Sequence, residues 1–344
     1  MLLLGIETSC DETAIAVVKE GKTILSNVIA SQISIHRPYN GVFPELASRE
    51  HVHQLLPTLD QALKLAGLSL QQIDGIACAY GPGLLGSLIV GVEFAKHLAY
   101  CLDIPLIKVN HVEAHLYAAM MSTEDPIEFP SLGAILSGGH THLLRINDFA
   151  DYDLIGATCD DAIGEAFDKV AALLGLPYPG GPEIEQLARL GDPQRYAFKP
   201  GHVKSSPYDF SYSGLKTQVL YAVKGTSQKS QAPLIDDKDK KDVAASFQRV
   251  ACYDAATKIV KAALDLGLKQ IFLGGGVSNN CYLRQLLTQL APPTLSVYFP
   301  KPSLTIDNGA MIAGLGFQLY RRLGGSLPQE VVAANRPPFL KQDS

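Results

Sequence analysis

The 344-residue chain lacks the features that would place it outside the interior of a cell. Six cysteines, Cys10, Cys78, Cys101, Cys159, Cys252 and Cys281, stand scattered with no C-x-x-C pair. That spacing argues against a cysteine zinc site or a disulfide framework and suits reduced thiols. The opening "MLLLGIETSCDET" is apolar for only a few residues and then acidic, which reads as neither a signal peptide nor an anchor. No stretch is expected to reach the ~18 apolar residues of a membrane span. A cytoplasmic protein with no membrane partner is the expectation. Positive charge is also scarce: the net charge is −5, so the chain as a whole does not attract nucleic acid. An RNA substrate would have to be held by a local basic surface or by a partner subunit.

What is present reads as a turn-rich α/β protein, with 47% hydrophobic and 18% charged residues, Gly 30 and Pro 21. The length suits two lobes with a core each. "LLLGIETSCDETAIAVVKEGKTI" reads as strand, hydroxyl-rich and acidic turn, strand: a hairpin. "LGAILSGGHTHLLRI" repeats it, with Gly133, Ser137 and Thr141 at the spacing of Gly5, Ser9 and Thr13, which hints at internal duplication, the plain alternative being that any two hairpins look alike. Between them, "PELASREHVHQLLPTLDQALKLAG" and "GSLIVGVEFAKHLAYCL" have helical periodicity and flank the strand "IDGIACAYGPG". Further on come the amphipathic "DDAIGEAFDKVAALLG", a Gly/Pro loop "LPYPGGPEI", a polar run over 224–242 expected as a solvated loop, and the helical "DVAASFQRVACYDAATKIVKAALDLG". Strands alternating with helices imply α/β layers.

Three stretches carry a chemical reason. In "HVEAHLYA", His111 and His115 stand one helical turn apart and project from one face, as two imidazole ligands of a divalent ion would, although no third ligand is local. Glu113 between them points to another face and reads as structural or as a support to the ligands. "QIFLGGGVSNNCYLRQLL" is a strand entering three glycines and a helix, where the backbone can approach a ligand and free N–H groups face it. "LSGGHT" is a second such turn, with Ser137, Thr141 and backbone amides able to hold phosphate. A tight structural turn would explain either one alone. Together with the first hairpin they describe an α/β fold of two duplicated lobes, the actin, hexokinase and Hsp70-type (ASKHA) ATPase fold, with nucleotide in an interlobe cleft.

"GIETSCDETAIAV", "GVFPELASREHVHQLLP", "GPGLLGSLIVGVEFAK", "NHVEAHLYA", "LSGGHTHL", "GEAFDKVAALLGLPYPGGP", "DFSYSGLKT", "GGGVSNNCYLR" and "TIDNGAMIA", in this order, resemble the universal tRNA adenosine threonylcarbamoyltransferase family over nearly the whole chain. The resemblance implies an N-terminal lobe over 1–132, a C-terminal lobe over 133–324 and a tail over 325–344. It implies transfer of a threonylcarbamoyl group from threonylcarbamoyl-AMP to the N6 amine of the adenosine beside the anticodon, in tRNAs reading codons that begin with A. It supplies the missing ligand: His111, His115 and Asp307 would hold Fe²⁺, with Zn²⁺ as the alternative. Ile135, Leu136, Ser137, Gly138, Gly139, Asp168, Gly181, Glu185 and Asn280 would line the site for the acyl-adenylate or ATP/AMP, with Mg²⁺. The family further implies a shorter paralogous subunit (TsaB), a small ATPase (TsaE), an upstream synthase that supplies threonylcarbamoyl-AMP, and room for a homodimer. Asn40 replaces a usual glycine, and Asn279 a small residue before Asn280.

The residues themselves add two points. Asp11 and Glu12 lie on the first turn and are candidates to orient the incoming amine or take its proton, with turn formation as the plain alternative. A metalloprotease is the rival enzyme class, but a zincin reads H-E-x-x-H, and Glu113 is displaced from that position. A scaffold of this fold without chemistry is the non-enzymatic rival, disfavoured by an intact ligand set.

Overall fold

The computed structural model describes residues 1–39, 41–203, 206–224 and 235–337. Position 40, residues 225–234 of the expected polar loop and 338–344 of the expected tail lie outside them. The chain begins β1 (Leu2–Glu7), β2 (Glu12–Lys19), β3 (Thr23–Ser31), α1 (Ile33–His36), α2 (Pro44–Ala66), β4 (Gly75–Gly81), α3 (Leu85–Leu102), β5 (Leu106–Asn110) and α4 (His111–Met120). It continues with β6 (Ser131–Leu136), β7 (Thr141–Asp148), β8 (Asp151–Ala157), α5 (Ile163–Leu173), α6 (Gly180–Ala188), α7 (Ser213–Lys224), α8 (Asp237–Asp265), β9 (Gln270–Gly274), α9 (Cys281–Leu290), β10 (Ser296–Tyr298) and α10 (Gly309–Leu323).

These elements make two compact units, each with one five-stranded sheet. The first sheet has the order β3-β2-β1-β4-β5 and the second β8-β7-β6-β9-β10. Both set an antiparallel hairpin beside two parallel strands. The duplication reaches the register. Gly5 faces Ala16 where Gly133 faces Leu144, and Glu7 faces Ala14 where Ile135 faces His142, at one constant offset. A hydrophobic pattern of period two fixes such a register, because a slip of one residue would turn every side chain to the wrong face.

In the first unit, Leu4, Ile6, Ile15 and Val17 pack with Leu55 and Leu59 of α2 and Val92 and Ala95 of α3. The opposite face receives α10, which crosses β1 where a Cβ on Gly5 would stand 2.1 Å from the Gly309 carbonyl oxygen. Backbone meets backbone there, so only glycine fits. In the second unit, Leu132, Leu136, Ile271 and Leu273 pack with Phe167 of α5 and Phe247 of α8.

The units are not consecutive in sequence. The first comprises Met1–Pro126, Asn147–Asp153 and Pro300–Ser344, and the second Ile127–Ile146 and Leu154–Phe299. This departs from boundaries at 132 and 324, because α10 completes the first core and the β7–β8 tip joins it, with Phe149 against Tyr117 at 5.8 Å between ring centroids. Two loop expectations shift as well. Residues 237–242 form the first turns of α8, started by the Asp236 side chain accepting from the Asp239 N–H. "GGPEI" opens α6 rather than ending a loop. The expectation of no membrane-length apolar stretch has one exception, α3, with a mean hydropathy of 1.3 over 18 residues. Its Leu88, Val92, Ala95 and Ala99 are buried in the first unit, while Leu85, Ile89 and Tyr100 are exposed.

Candidate metal centre and nucleotide turns

Two asparagine-capped helix starts build the centre. Asn110 ends β5, and its side chain accepts from the Val112 and Glu113 N–H groups, so α4 begins with His111 and puts His115 one turn on. Asn308 accepts likewise from the Met311 N–H and starts α10, with Asp307 immediately before it. Asp307 Oδ1 lies 3.2 Å from His115 Nε2 and 3.6 Å from His111 Nε2. The three ligand atoms lie within 4.8 Å of one another, on residues that are buried or half-buried. Around an ion with ~2.1 Å bonds, tetrahedral ligands stand about 3.4 Å apart, so the spacing fits.

A support that sequence reasoning missed strengthens the fit. Glu7 is fully buried at the end of β1, and its Oε2 lies 2.8 Å from His111 Nδ1. Its other oxygen accepts from the Ser9 N–H, and Ser9 Oγ stands 3.1 Å from the same imidazole nitrogen. A carboxylate on Nδ1 fixes that nitrogen as the donor and leaves the Nε2 lone pair for an ion. With no ion, burial depresses His111 while Glu7 and Asp307 outweigh it, lifting its pKa to about 9. The signal was in the sequence: a glutamate ending a strand that is otherwise "LLLGI" is a buried charge awaiting a partner. Glu113 is buried too but lies outside the cluster. Its carboxylate, after burial itself, raises the Tyr80 hydroxyl to about 12.

Asp11 and Glu12 are buried on the adjoining turn. Burial first, then the charges of Asp307 and Asp11, push Glu12 up to about 10, and Ser31 Oγ donates to its Oε1 at 3.3 Å. In the ion-free protein Glu12 is therefore a neutral carboxylic acid at pH 7, suited to donate a hydrogen bond rather than to take a proton.

The second unit holds the nucleotide candidates. Ile135 and Leu136 are buried strand residues of β6, so only their backbone faces the turn. Ser137 Oγ accepts from the His140 N–H at 3.0 Å and closes the turn. Gly138 and Gly139 are exposed, with open space where a Cβ would stand. Gly275 differs: its φ is +85°, and a Cβ would lie 2.5 Å from the Leu136 carbonyl oxygen, so it joins the two glycine turns. Asp168 accepts from the Gly180 N–H at 2.7 Å at the start of α6, beside Gly181. Glu185 accepts from the Cys281 N–H at 3.1 Å at the start of α9. Asn280 caps α9 through the Leu283 N–H and donates to Gln248, so its amide is already engaged, whereas Asn279 is exposed. Glu185, Arg189, Gln248, Cys281 and Tyr282 line a cavity of about 380 Å³.

A duplicated α/β chain with glycine turns in one unit and, in the other, a two-imidazole, one-carboxylate cluster that could bind a metal defines a class: a two-lobed α/β protein with a candidate metal centre. The fold is shared with the crystal structures of the Acidaminococcus fermentans (R)-2-hydroxyglutaryl-CoA dehydratase component A and of T. kodakarensis HypF. The first has a TM-score of 0.53 at 13% identity and covers 94% of this chain and 98% of its own. The second has a TM-score of 0.59 at 18% identity and covers 93% of this chain and 48% of its own. The family model of TsaD, tRNA N6-adenosine threonylcarbamoyltransferase, matches residues 23–314. Proteins of that name from Protochlamydia amoebophila (52% identity, 98% of both chains) and Symbiobacterium thermophilum (48%, 93% of this chain and 92% of the relative) align over nearly their full length. The chain belongs to the TsaD family of tRNA N6-adenosine threonylcarbamoyltransferases, and it is a transferase that modifies tRNA.

Proposed function

We propose that the chain transfers a threonylcarbamoyl group from threonylcarbamoyl-AMP to the N6 amine of the adenosine beside the anticodon, in tRNAs reading codons that begin with A. The observation that carries the reading is the His111, His115 and Asp307 cluster in a chain of this family. The adenine amine is a weak nucleophile because its lone pair is delocalised into the ring, so the donor must be activated, and AMP is a good leaving group. A bound Fe²⁺ or Zn²⁺ would supply Lewis-acid polarisation of the acyl end and a fixed point for orienting it.

The chain's own groups do the rest. His111, oriented by Glu7, and His115 with Asp307 would offer the ion two imidazole nitrogens and one carboxylate, the His111 proton leaving as the ion binds. The amides after Leu136 and the exposed Gly138 and Gly139 suit the phosphate of the AMP end, with Mg²⁺ as counterion. Asp168, Gly181, Glu185 and Asn280 are the nucleoside candidates, of which Glu185 alone lines the 380 Å³ cavity. Glu12 and Asp11, on the turn beside the metal candidates, are the groups to orient the incoming amine or take its proton. The reaction is placed in the cytoplasm, with a TsaB-type paralogue, a TsaE-type ATPase and an upstream adenylate-forming synthase.

The test gives the metal-loaded chain, with its paralogous subunit, purified threonylcarbamoyl-AMP. AMP release that depends on tRNA, and modified adenosine found by mass spectrometry only in tRNAs with an adenosine beside the anticodon, is the expected result. Cleavage of a peptide panel without tRNA acylation would favour the protease, and tRNA binding without AMP release the scaffold.

A further inference from the structure

We propose that His51, on α2, is a positioning residue for the transfer: its imidazole clamps both ends of the turn that carries Asp11 and Glu12. The inference rests on the reading of these two carboxylates given above. The ladder between β1 and β2 ends at the pair Glu7 and Ala14, so the chain from Thr8 to Thr13 has no partner across the hairpin. Its polar groups are buried and must be satisfied from outside.

His51 is fully buried and meets the turn at two points. Its Nε2 lies 3.0 Å from the Cys10 carbonyl oxygen, and its Nδ1 lies 2.7 Å from Thr13 Oγ1. A carbonyl oxygen only accepts, so Nε2 carries the hydrogen. Burial lowers the His51 pKa from its ordinary 6.5, against the Cys10 carbonyl and the charges of Glu7, Asp11 and Glu50. The ring is therefore neutral at pH 7, and Nδ1 accepts from the Thr13 hydroxyl.

These two bonds reach the carboxylates through the backbone. The Cys10 carbonyl belongs to the planar peptide that joins Cys10 to Asp11. The next carbonyl, of Asp11, accepts from the Gln32 N–H at 3.1 Å, and the Gln32 side chain donates in turn to the Ala47 carbonyl of α2 at 3.4 Å. With both peptide planes beside Asp11 held, the direction of its side chain is held too. Glu12 lies between that fixed carbonyl and the fixed Thr13 hydroxyl. The second hairpin shows that the scaffold itself needs no histidine here. At the matching place Thr141 Oγ1 accepts from the Ile163 N–H at 2.9 Å, a main-chain donor at the start of α5, and the turn before it carries glycines instead of carboxylates. The imidazole thus accompanies the carboxylates rather than the hairpin. Reacting groups displaced by about 1 Å can lose on the order of 100-fold in rate, which makes such a clamp consequential.

The test uses the metal-loaded chain with its paralogous subunit, threonylcarbamoyl-AMP and tRNA. Thr13→Val keeps the branched shape and removes the hydroxyl that His51 accepts from. It should lower kcat on the order of 10-fold per folded, metal-bearing molecule, with KM for donor and tRNA within about twofold of wild type. Thr13→Ser should restore kcat, and His51→Ala should lower it on the order of 100-fold. Nitrogen NMR on labelled histidines, without donor or tRNA, should show at pH 7 a neutral ring protonated on Nε2 whose signal is missing from His51→Ala. An unchanged kcat in Thr13→Val overturns the proposal. So does a loss explained wholly by fewer folded molecules, or a His51 ring that is doubly protonated or protonated on Nδ1 alone. A wild type that transfers nothing would sink the transfer reading, and the imidazole signal then decides the clamp by itself.

Discussion

The β1–β2 and β6–β7 hairpins share one register and differ in what they carry. Where the first has Glu7, Cys10, Asp11 and Glu12, the second has Ile135, Gly138, Gly139 and His140, while Ser9 and Thr13 recur as Ser137 and Thr141. The shared serine and threonine serve the turn: Thr13 pairs with His51 at 2.7 Å, and Thr141 accepts from the Ile163 N–H at 2.9 Å. The differing positions set the chemistry. Carboxylates that are buried and close together prefer a cation, or keep a proton, as Glu12 does. Glycines that expose successive amides prefer an anion. One scaffold, duplicated, thus offers opposite electrostatics at equivalent turns.

The largest expected loss comes from removing the cation site itself. His111→Ala, His115→Ala and Asp307→Ala should each lose the bound ion and reduce transfer to background with circular dichroism unchanged, by metal analysis alongside the tRNA assay. Equivalent changes on the second hairpin should leave metal content alone. If full metal and activity survive all three, the contrast between the hairpins has been misread. Making the first hairpin resemble the second is gentler: Glu7→Ile places the β6 residue on β1 and frees His111 Nδ1. Metal affinity should fall on the order of 10–100-fold, measured by competition with a chelator.

The glycine turns should separate into two kinds. Gly138→Val meets open space, so the melting temperature should hold while AMP affinity in titration calorimetry drops. Gly275→Val forces a β-branched residue to a φ of +85° against the Leu136 carbonyl, and should cost ~1–3 kcal/mol of stability or more before binding is considered. The smallest effect is on pH. In the ion-free protein Glu12 and His111 titrate near 10 and 9, above their ordinary 4.5 and 6.5. Both groups bind protons more tightly folded than unfolded, so their stabilisation is complete at low pH and is lost as pH rises through those windows. The melting temperature should fall from about pH 5 toward 9, and Glu12→Gln and saturating metal should each flatten part of that slope. A rise over the same range would contradict the assigned directions.

The period-two and helical patterns in the sequence were enough to place the hairpins, α2, α3, α5 and both glycine turns, because those signals are local. The i, i+4 histidines were legible for the same reason. Their third ligand was not, since Asp307 is nearly two hundred residues away and came only through resemblance. Periodicity could not show that the first unit borrows Pro300–Ser344, because the close approach of α10 to β1 through Gly5 and Gly309 is a fact of tertiary packing. It also could not show that Glu7 meets His111 of the candidate metal cluster or that Asn280 is engaged at a helix cap. The amino-acid sequence determined which residues could bind or acidify. The tertiary structure decided which of them meet, because side-chain chemistry is carried by each residue whereas burial, partners and the resulting proton affinities exist only once distant segments are brought into contact.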